Sequence, residues 1–302
     1  MKKPPATADN HGTGFPMTLS SRVTVLGNYF INLFLVTGDN ETALFETGIS
    51  GITDAVISQL EALGVTPDYL IMSHPHSDHA TGLPGLMTRF PDAVVLAGEG
   101  AREFITHPKA GPLMLAEDAF MSKGLLHRGI TPGRPPIDTV PDLSDARIVT
   151  DTTILDLGGA TLELKPVSGH SPGNLIARVQ DIVFCSDSLG FHFPGRGFWP
   201  LFFTGVKAYL TTLSYIKNLA PAVICPAHQG PLKGDAAARG IQAAIDAAHA
   251  FINRVTHTRL PDQELLAQLL AESYRDEFTL YTEENIANCN QLLVKRARQF
   301  AA

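Results

Sequence analysis

Ser73-His74-Pro75-His76-Ser77-Asp78-His79-Ala80-Thr81-Gly82 is the stretch that decides how this chain folds. Three histidines and an aspartate fall within six positions, directly behind the apolar run Tyr69-Leu70-Ile71-Met72. That run predicts a short buried strand, because it is apolar and bounded by Pro67-Asp68 on one side and polar residues on the other. The strand therefore stops where metal-ligating side chains begin. His74 and His76, two apart in extended chain, point the same way. Asp78 and His79 come at the turn into the next helix and can face a second point nearby. One short segment can thus supply two adjacent metal ions, and imidazole with carboxylate suits zinc, iron or manganese. The competing explanation is a polar loop with a chance run of histidines. Four ligand-type residues packed behind one strand end argue against it.

Outward from this segment the pattern repeats. Upstream, Arg22–Gly27, Ile31–Val36 and Ala43–Glu46 read as strands, with Gly38-Asp39-Asn40 as a hairpin turn and a glycine-bearing loop at Glu46–Gly51. A helix is predicted from about Thr53, with Ala55, Val56, Leu60 and Leu63 at helical spacing and Gly64 as its stop. Downstream come a helix near Gly82–Phe90 and a strand at Ala93–Ala97. Residues 104–150 are rich in Gly and Pro, with a short helix around Leu113–Leu126, and are predicted to be a lid-like insertion. Strands then resume at Thr153–Leu157 and Ala160–Leu164, flanking the hairpin signal Gly158-Gly159. His170 stands just past a strand end. Ile182–Cys185 leads to Asp187, and after a helix at Val206–Leu219 the strand Ala222–Cys225 leads to His228. Any one of these three alone divides evenly between a ligand and a hydrogen-bonded loop residue. Four strand ends carrying ligand-type residues predict convergence on one rim. His107, His127, His249 and His257 have no ligand-type neighbours and read as ordinary histidines.

Composition narrows the function. The chain has 302 residues, 44% of them hydrophobic, enough to bury a sizeable core. Its formal net charge is −7 and no run of Lys or Arg occurs, which disfavours nucleic acid as a partner. Three widely spaced cysteines without a CxxC indicate neither a disulfide framework nor a zinc ribbon; Cys185 and Cys225 read as core residues. Residues 1–16 form a polar lead-in, expected to be disordered, that lacks the apolar core of a signal peptide. No stretch approaches the length of a membrane span, so the expected setting is the cytoplasm, with no membrane partner.

His74, His76, Asp78, His79, His170, Asp187 and His228 together resemble the signature of the metallo-β-lactamase superfamily, His-x-His-x-Asp-His followed by a distant His, Asp and His. The resemblance spans about Val23 to Leu232 and implies a four-layer αββα sandwich of the α/β class, with the site at one edge of its two sheets. It implies two divalent metal ions (zinc, iron or manganese): His74, His76 and His170 on the first, Asp78, His79 and His228 on the second, and Asp187 bridging. With an aspartate rather than a cysteine at 187, the chain is similar to the glyoxalase II, lactonase and thioesterase branches. Glu46–Ser50, Phe184–Gly190 and Trp199-Pro200-Leu201 resemble the quinolone signal response protein and its thioesterase-like relatives.

The activity so implied is dinuclear hydrolysis, in which a metal-bridging hydroxide attacks a thioester or other activated acyl bond of a small, partly apolar substrate. Asp78 would orient that hydroxide or accept its proton. Alternatives are an iron-dependent sulfur-compound dioxygenase of the same fold, phosphodiester hydrolysis, and a regulatory or ligand-sensing protein that retains the site. Past Asp187, the stretch Phe191–Phe203 is dense in aromatic residues, and Phe191, His192, Phe193, Phe198 and Trp199 are candidate substrate contacts. The same stretch also reads as a plug under the C-terminal helices or as a homodimer contact. Residues 17–234 are assigned to the main domain and 235–302 to a helical cap of about three helices, one starting at Pro261-Asp262.

Overall fold

The computed structural model describes residues 14–302. The lead-in expected over residues 1–16 lies outside the described residues as far as residue 13. Phe15, by contrast, packs against the core between the sheets.

Two sheets face one another. The first runs in strict chain order: Met17–Thr18 (β1), Val23–Gly27 (β2), Asn32–Thr37 (β3), Thr42–Phe45 (β4), Tyr69–Met72 (β5), Val94–Gly98 (β6) and Arg147–Val149 (β7). Its pairing is antiparallel from β1 to β4 and parallel from β4 to β7. The second contains Thr153–Asp156 (β8), Thr161–Pro166 (β9), Leu175–Val179 (β10) and Ile182–Phe184 (β11). A separate hairpin follows, Phe191–Phe193 (β12) with Gly197–Trp199 (β13), and then Val223–Cys225 (β14) and Leu232–Lys233 (β15) complete the second sheet in the order β15-β14-β11-β10-β9-β8. Only β11 and β14 pair in parallel there, so β9, β11 and β14 all run the same way.

Between the sheets, Phe34, Phe45, Ile71, Leu162, Leu164 and Phe184 form a dry core, with Phe34 and Phe184 stacked at 4.8 Å. On the outer face of the first sheet lie Thr53–Leu63 (α1), Ser77–Ala80 (α2), Leu83–Arg89 (α3), Ala101–Ile105 (α4) and Ala110–His127 (α5). Val206–Asn218 (α6), Asp235–His257 (α7), Asp262–Ser273 (α8) and Glu283–Ala301 (α9) cover the second. This is the αββα sandwich of the metallo-β-lactamase fold. The α1 helix ends at Gly64, whose left-handed φ of 68° closes the last turn.

Residues 104–150 differ from the loop-rich expectation. They hold the 18-residue helix α5 and end in a strand that pairs with β6. Buried Asp118 is the reason: it accepts from Ser50, Thr81 and the Ile137 amide, fastening helix and following segment to the first sheet's loops. The C-terminal helices are also more than a cap. Ile241, Ala244 and Ala248 of α7 share one core with Tyr209 and Leu213 of α6 and Ile224 of β14.

Gly169 ties this packing to the residue after it. Its φ is +111°, and a Cβ there would sit 2.3 Å from the Tyr209 backbone. The variant Gly169→Ala is therefore expected to lose roughly 2–4 kcal/mol, from a left-handed backbone plus overpacking. Urea unfolding measures this, and an unchanged midpoint would contradict it.

Candidate metal centre

Strand direction places the ligand-type residues. On the first sheet, parallel β4 and β5 end at Glu46 and at Ser73-His74, and α2 begins at once and carries Asp78 and His79. On the second, β9, β11 and β14 deliver His170, Asp187 and His228 to the same edge. The seven residues named from the sequence are all brought together. Six of them are buried and His76 is half-buried.

They fall into two groups. In the first, Nε2 of His74, Nδ1 of His76 and Nε2 of His170 form a triangle with sides of 3.0, 3.1 and 3.2 Å. In the second, Asp78 Oδ2 lies 3.3 Å from His79 Nε2 and 3.4 Å from His228 Nε2. Asp187 stands between them: its Oδ2 is 3.6 Å from His170 and 3.5 Å from His79, and its Oδ1 is 3.5 Å from His228.

Cations fit this arrangement. A tetrahedral ion with metal–nitrogen distances of about 2.0–2.1 Å separates its donor atoms by about 3.3–3.4 Å. The second group matches that edge, and the first needs to open by only a few tenths of an ångström. Nε2 of His79 and of His228 are buried beside two carboxylates, yet neither makes a hydrogen bond. Buried polar atoms in that condition fit a bound ion.

Behind the donors, protein acceptors fix the rings. His170 Nδ1 meets the Leu201 carbonyl at 3.0 Å, and His228 Nδ1 meets that of Phe30 at 2.6 Å. Glu46, which sequence reasoning left without a role, serves both groups. Its Oε2 accepts from His79 Nδ1 at 2.9 Å and from Ser73 Oγ at 2.7 Å, and Ser73 Oγ in turn lies 3.0 Å from His74 Nδ1. With Nδ1 so engaged, Nε2 is the ring atom each of these histidines turns to the centre. Glu46 holds a left-handed φ of 77°, unusual for a residue with a side chain. Tyr281, also missed, reaches over from the segment before α9 and donates its hydroxyl to Asp78 Oδ2 at 2.7 Å. Nothing in the local sequence of either residue signals these contacts, which join parts of the chain far apart in number.

The electrostatics divide the same way. Burial pushes His74 well below the usual imidazole range and His76 down to about 3, with the neighbouring imidazoles adding to the effect; burial likewise lowers His170. For His79, burial opposes the charge, but Asp78, Glu46 and Asp187 outweigh it and hold the ring well above its ordinary value. His228 is raised against burial by its contacts with Asp187. Burial alone would raise Asp78 and Asp187, yet His79 and His228 keep both carboxyls depressed. In the metal-free chain, imidazolium thus supplies the positive charge that a cation would bring.

Above the centre lies a cavity of about 390 Å³, with His76, Asp78, His170 and Asp187 on its floor. Phe104, Met114, Phe203, Phe278 and Tyr281 form its walls, and exposed Leu113 and Leu292 its rim. Of the aromatic-stretch candidates, Phe191 and Trp199 line it; His192, Phe193 and Phe198 do not. Hairpin alternation explains the correction. Phe191 pairs with Trp199 on one face, while His192 pairs with Phe198 on the other, their rings 4.8 Å apart. Phe193, farther from the centre, packs on Phe278.

The chain belongs to the metallo-β-lactamase superfamily, whose model matches residues 26–228. Among particular relatives, it is 28% identical over 201 residues to a metallo-β-lactamase fold-containing protein of Sulfurisphaera tokodaii, covering 66% of this chain and 72% of that one. It is 27% identical over 175 residues to a hydroxyacylglutathione hydrolase of Photorhabdus laumondii, covering 58% of this chain and 53% of that protein, about half its length. The solved structure of an archaeal superfamily protein from Sulfolobus tokodaii superposes with a TM-score of 0.57 at 19% identity, over 90% of this chain and 93% of that one. A sec-alkylsulfatase from Pseudomonas sp. gives 0.62 at 15% identity, over 92% and 49%. At these identities the structural matches show the fold. Among the described residues, no helix is long and apolar enough to cross a membrane.

Because His79 and His228 are raised, a cation must displace protons to reach their Nε2 atoms. Metal uptake is expected to release protons, and apparent affinity to rise with pH through the neutral range. Calorimetry in buffers of different ionisation enthalpy checks this; a buffer-independent heat at pH 7 would contradict it.

Proposed function

We propose that this protein is a metal-dependent hydrolase that cleaves a thioester or other activated acyl bond of a small, partly apolar substrate. One observation carries the reading: two adjoining groups of ligand-type side chains, joined by Asp187, form the floor of an apolar cavity that opens at Leu113 and Leu292. Members of the superfamily are mostly metal-dependent hydrolases, and the Photorhabdus relative is named for a thioester hydrolysis. The proximity of Asp78, His79 and His228 favours two ions over one, and with it hydrolysis over a single-iron oxidation. Zinc, iron and manganese are all compatible with the donor set.

His74, His76 and His170 would hold one ion, Asp78, His79 and His228 the other, with Asp187 shared. Such a pair lowers the pKa of water and polarises a carbonyl, supplying nucleophile and electrophile at neutral pH. The chain's own residues do the rest. Phe203, Phe191 and Trp199 hold the apolar acyl arm against the floor and keep bulk water away. Asp78, kept turned to the centre by the Tyr281 hydroxyl, is placed to orient the attacking water and take its proton. Burial, reinforced by Asp78, raises Tyr281 well above the ordinary phenol, so it stays a donor. The acyl carbon gains the water oxygen, the C–S bond breaks, and the thiol leaves with a proton.

Metal-loaded protein should turn over acyl thioesters. Asp187→Asn should lower kcat by about a thousandfold or more, since an amide is a poor metal ligand and the residue serves both groups. Tyr281→Phe should lower kcat by about tenfold with metal content retained. A metal-replete protein inert towards coenzyme A, glutathione and lactone substrates would sink the proposal.

A further inference from the structure

The cavity above the metal centre continues outward. Thr204 and Arg296 line it and also line a second cavity of about 780 Å³, between the start of α6 and the last turns of α9. The inner cavity is walled by aromatic and aliphatic side chains. Lys165, Lys207 and Arg296 border the outer one and no Asp or Glu does, on a chain whose formal net charge is −7.

These three cations are uncompensated. None forms an ion pair among the described residues, whereas Arg22, Arg89, Arg134, Arg254 and Arg298 each pair with a carboxylate. Glu163, two residues before Lys165 on β9, is engaged with Tyr215 and does not border the cavity. Lys165 lies 5.1 Å over the Tyr215 ring and donates to Thr152 at 3.3 Å, both neutral partners. At the junction, Arg296 donates from Nε to the Phe203 carbonyl at 2.8 Å and from Nη1 to Gln299 at 3.0 Å. Its Nη2 has no hydrogen-bond partner among the described residues. The guanidinium is therefore oriented, with donor capacity left over. Three cations around so large a space exceed what a single carboxylate calls for, and guanidinium with ammonium is the usual set for phosphate.

From this juxtaposition we infer that the substrate is an acyl thioester whose thiol carrier bears phosphates. Its acyl arm occupies the inner cavity, and the carrier passes Thr204 and Arg296 so that its phosphates lie among Lys165, Lys207 and Arg296. This rests on the hydrolase reading for the chemistry at the floor, but the outer cavity makes its own prediction about binding.

The test uses the full-length, metal-loaded protein and two thioethers, which offer neither a scissile bond nor a free thiol: S-ethyl coenzyme A and S-ethyl pantetheine, the latter without phosphates. By calorimetry the coenzyme A thioether should bind at least about tenfold tighter, and the difference should shrink as salt is raised. Lys207→Glu, an exposed change outside the inner cavity, should remove most of that advantage and leave hydrolysis of a pantetheine thioester unaltered. Arg296→Gln should do the same to the binding difference. Equal affinity for the two thioethers, or an advantage indifferent to Lys207→Glu, overturns the inference. The two readings fail separately. Phosphate-dependent binding without cleavage of any thioester removes the hydrolase and keeps the outer site; cleavage indifferent to phosphates does the reverse.

Discussion

Five imidazoles and two carboxylates crowd a space that water barely reaches, and the rest of the molecule is built to hold them there. Three ring nitrogens lie 3.0–3.2 Å apart, a few tenths of an ångström inside the spacing a shared tetrahedral ion sets. Desolvation disfavours every charge in the cluster, yet Asp78 and Asp187 are stabilised as anions because His79 and His228 become cations beside them. In a cluster that balances charge by holding protons, a metal ion competes with those protons for the same ring nitrogens. The sandwich supplies the rigidity: five of the side chains follow within four residues of a strand end and Asp78 and His79 stand on the short α2 helix just beyond, in sheets whose facing sides are packed dry.

Glu46 shows how closely framework and centre are joined. It leaves β4 in a left-handed conformation and turns one oxygen towards both Ser73 and His79, so a single carboxylate sets a ring in each ligand group. The Thr47 hydroxyl then binds the His79 carbonyl, fixing the short α2 helix from its other side. Strain at such a residue persists only where surrounding contacts over-determine it. Here the contacts are buried hydrogen bonds to groups that must not move.

Much of this was legible in the sequence, and the reason is physical. A strand ending in a ligand announces itself locally, through an apolar run followed by His or Asp, and the repetition at His74, His170, Asp187 and His228 implied a common rim. Turns at Gly38-Asp39-Asn40 and Gly158-Gly159 were equally local and stand where expected. The residues that escaped are those defined by distant partners. Tyr281 sits 203 positions from the Asp78 it contacts, and Leu201 contributes only a backbone carbonyl to His170, which no side-chain pattern can encode. The aromatic stretch misled in part because density of rings does not reveal a two-residue alternation. The hairpin turns Phe191 and Trp199 to the cavity and His192 and Phe198 away. Residues 104–150 misled because Gly and Pro frequency describes the segment after α5 but not α5 itself, which buried Asp118 anchors.

The cavity draws on a wider part of the chain than the ligand groups do. Floor and ligands come from the sheet edges, within the span matched by the family model, 26–228. The cavity wall comes from Phe104, α5, Phe191, Trp199 and Phe203 inside that span and from Phe278, Tyr281, Ile286, Cys289, Leu292 and Arg296 beyond it. Tyr281 and Glu117 bind the two parts together, the first through Asp78 and the second through Thr282 at the start of α9. A change in the C-terminal segment can thus reshape the cavity without moving a ligand. It can also reach the centre, through the Tyr281 hydroxyl on Asp78 and through Phe278, which packs on Phe191 beside His228. The helical segment after residue 235 thus closes one side of the cavity and the hairpin that carries Phe191 and Trp199 lines another, while the sheet edges supply its floor.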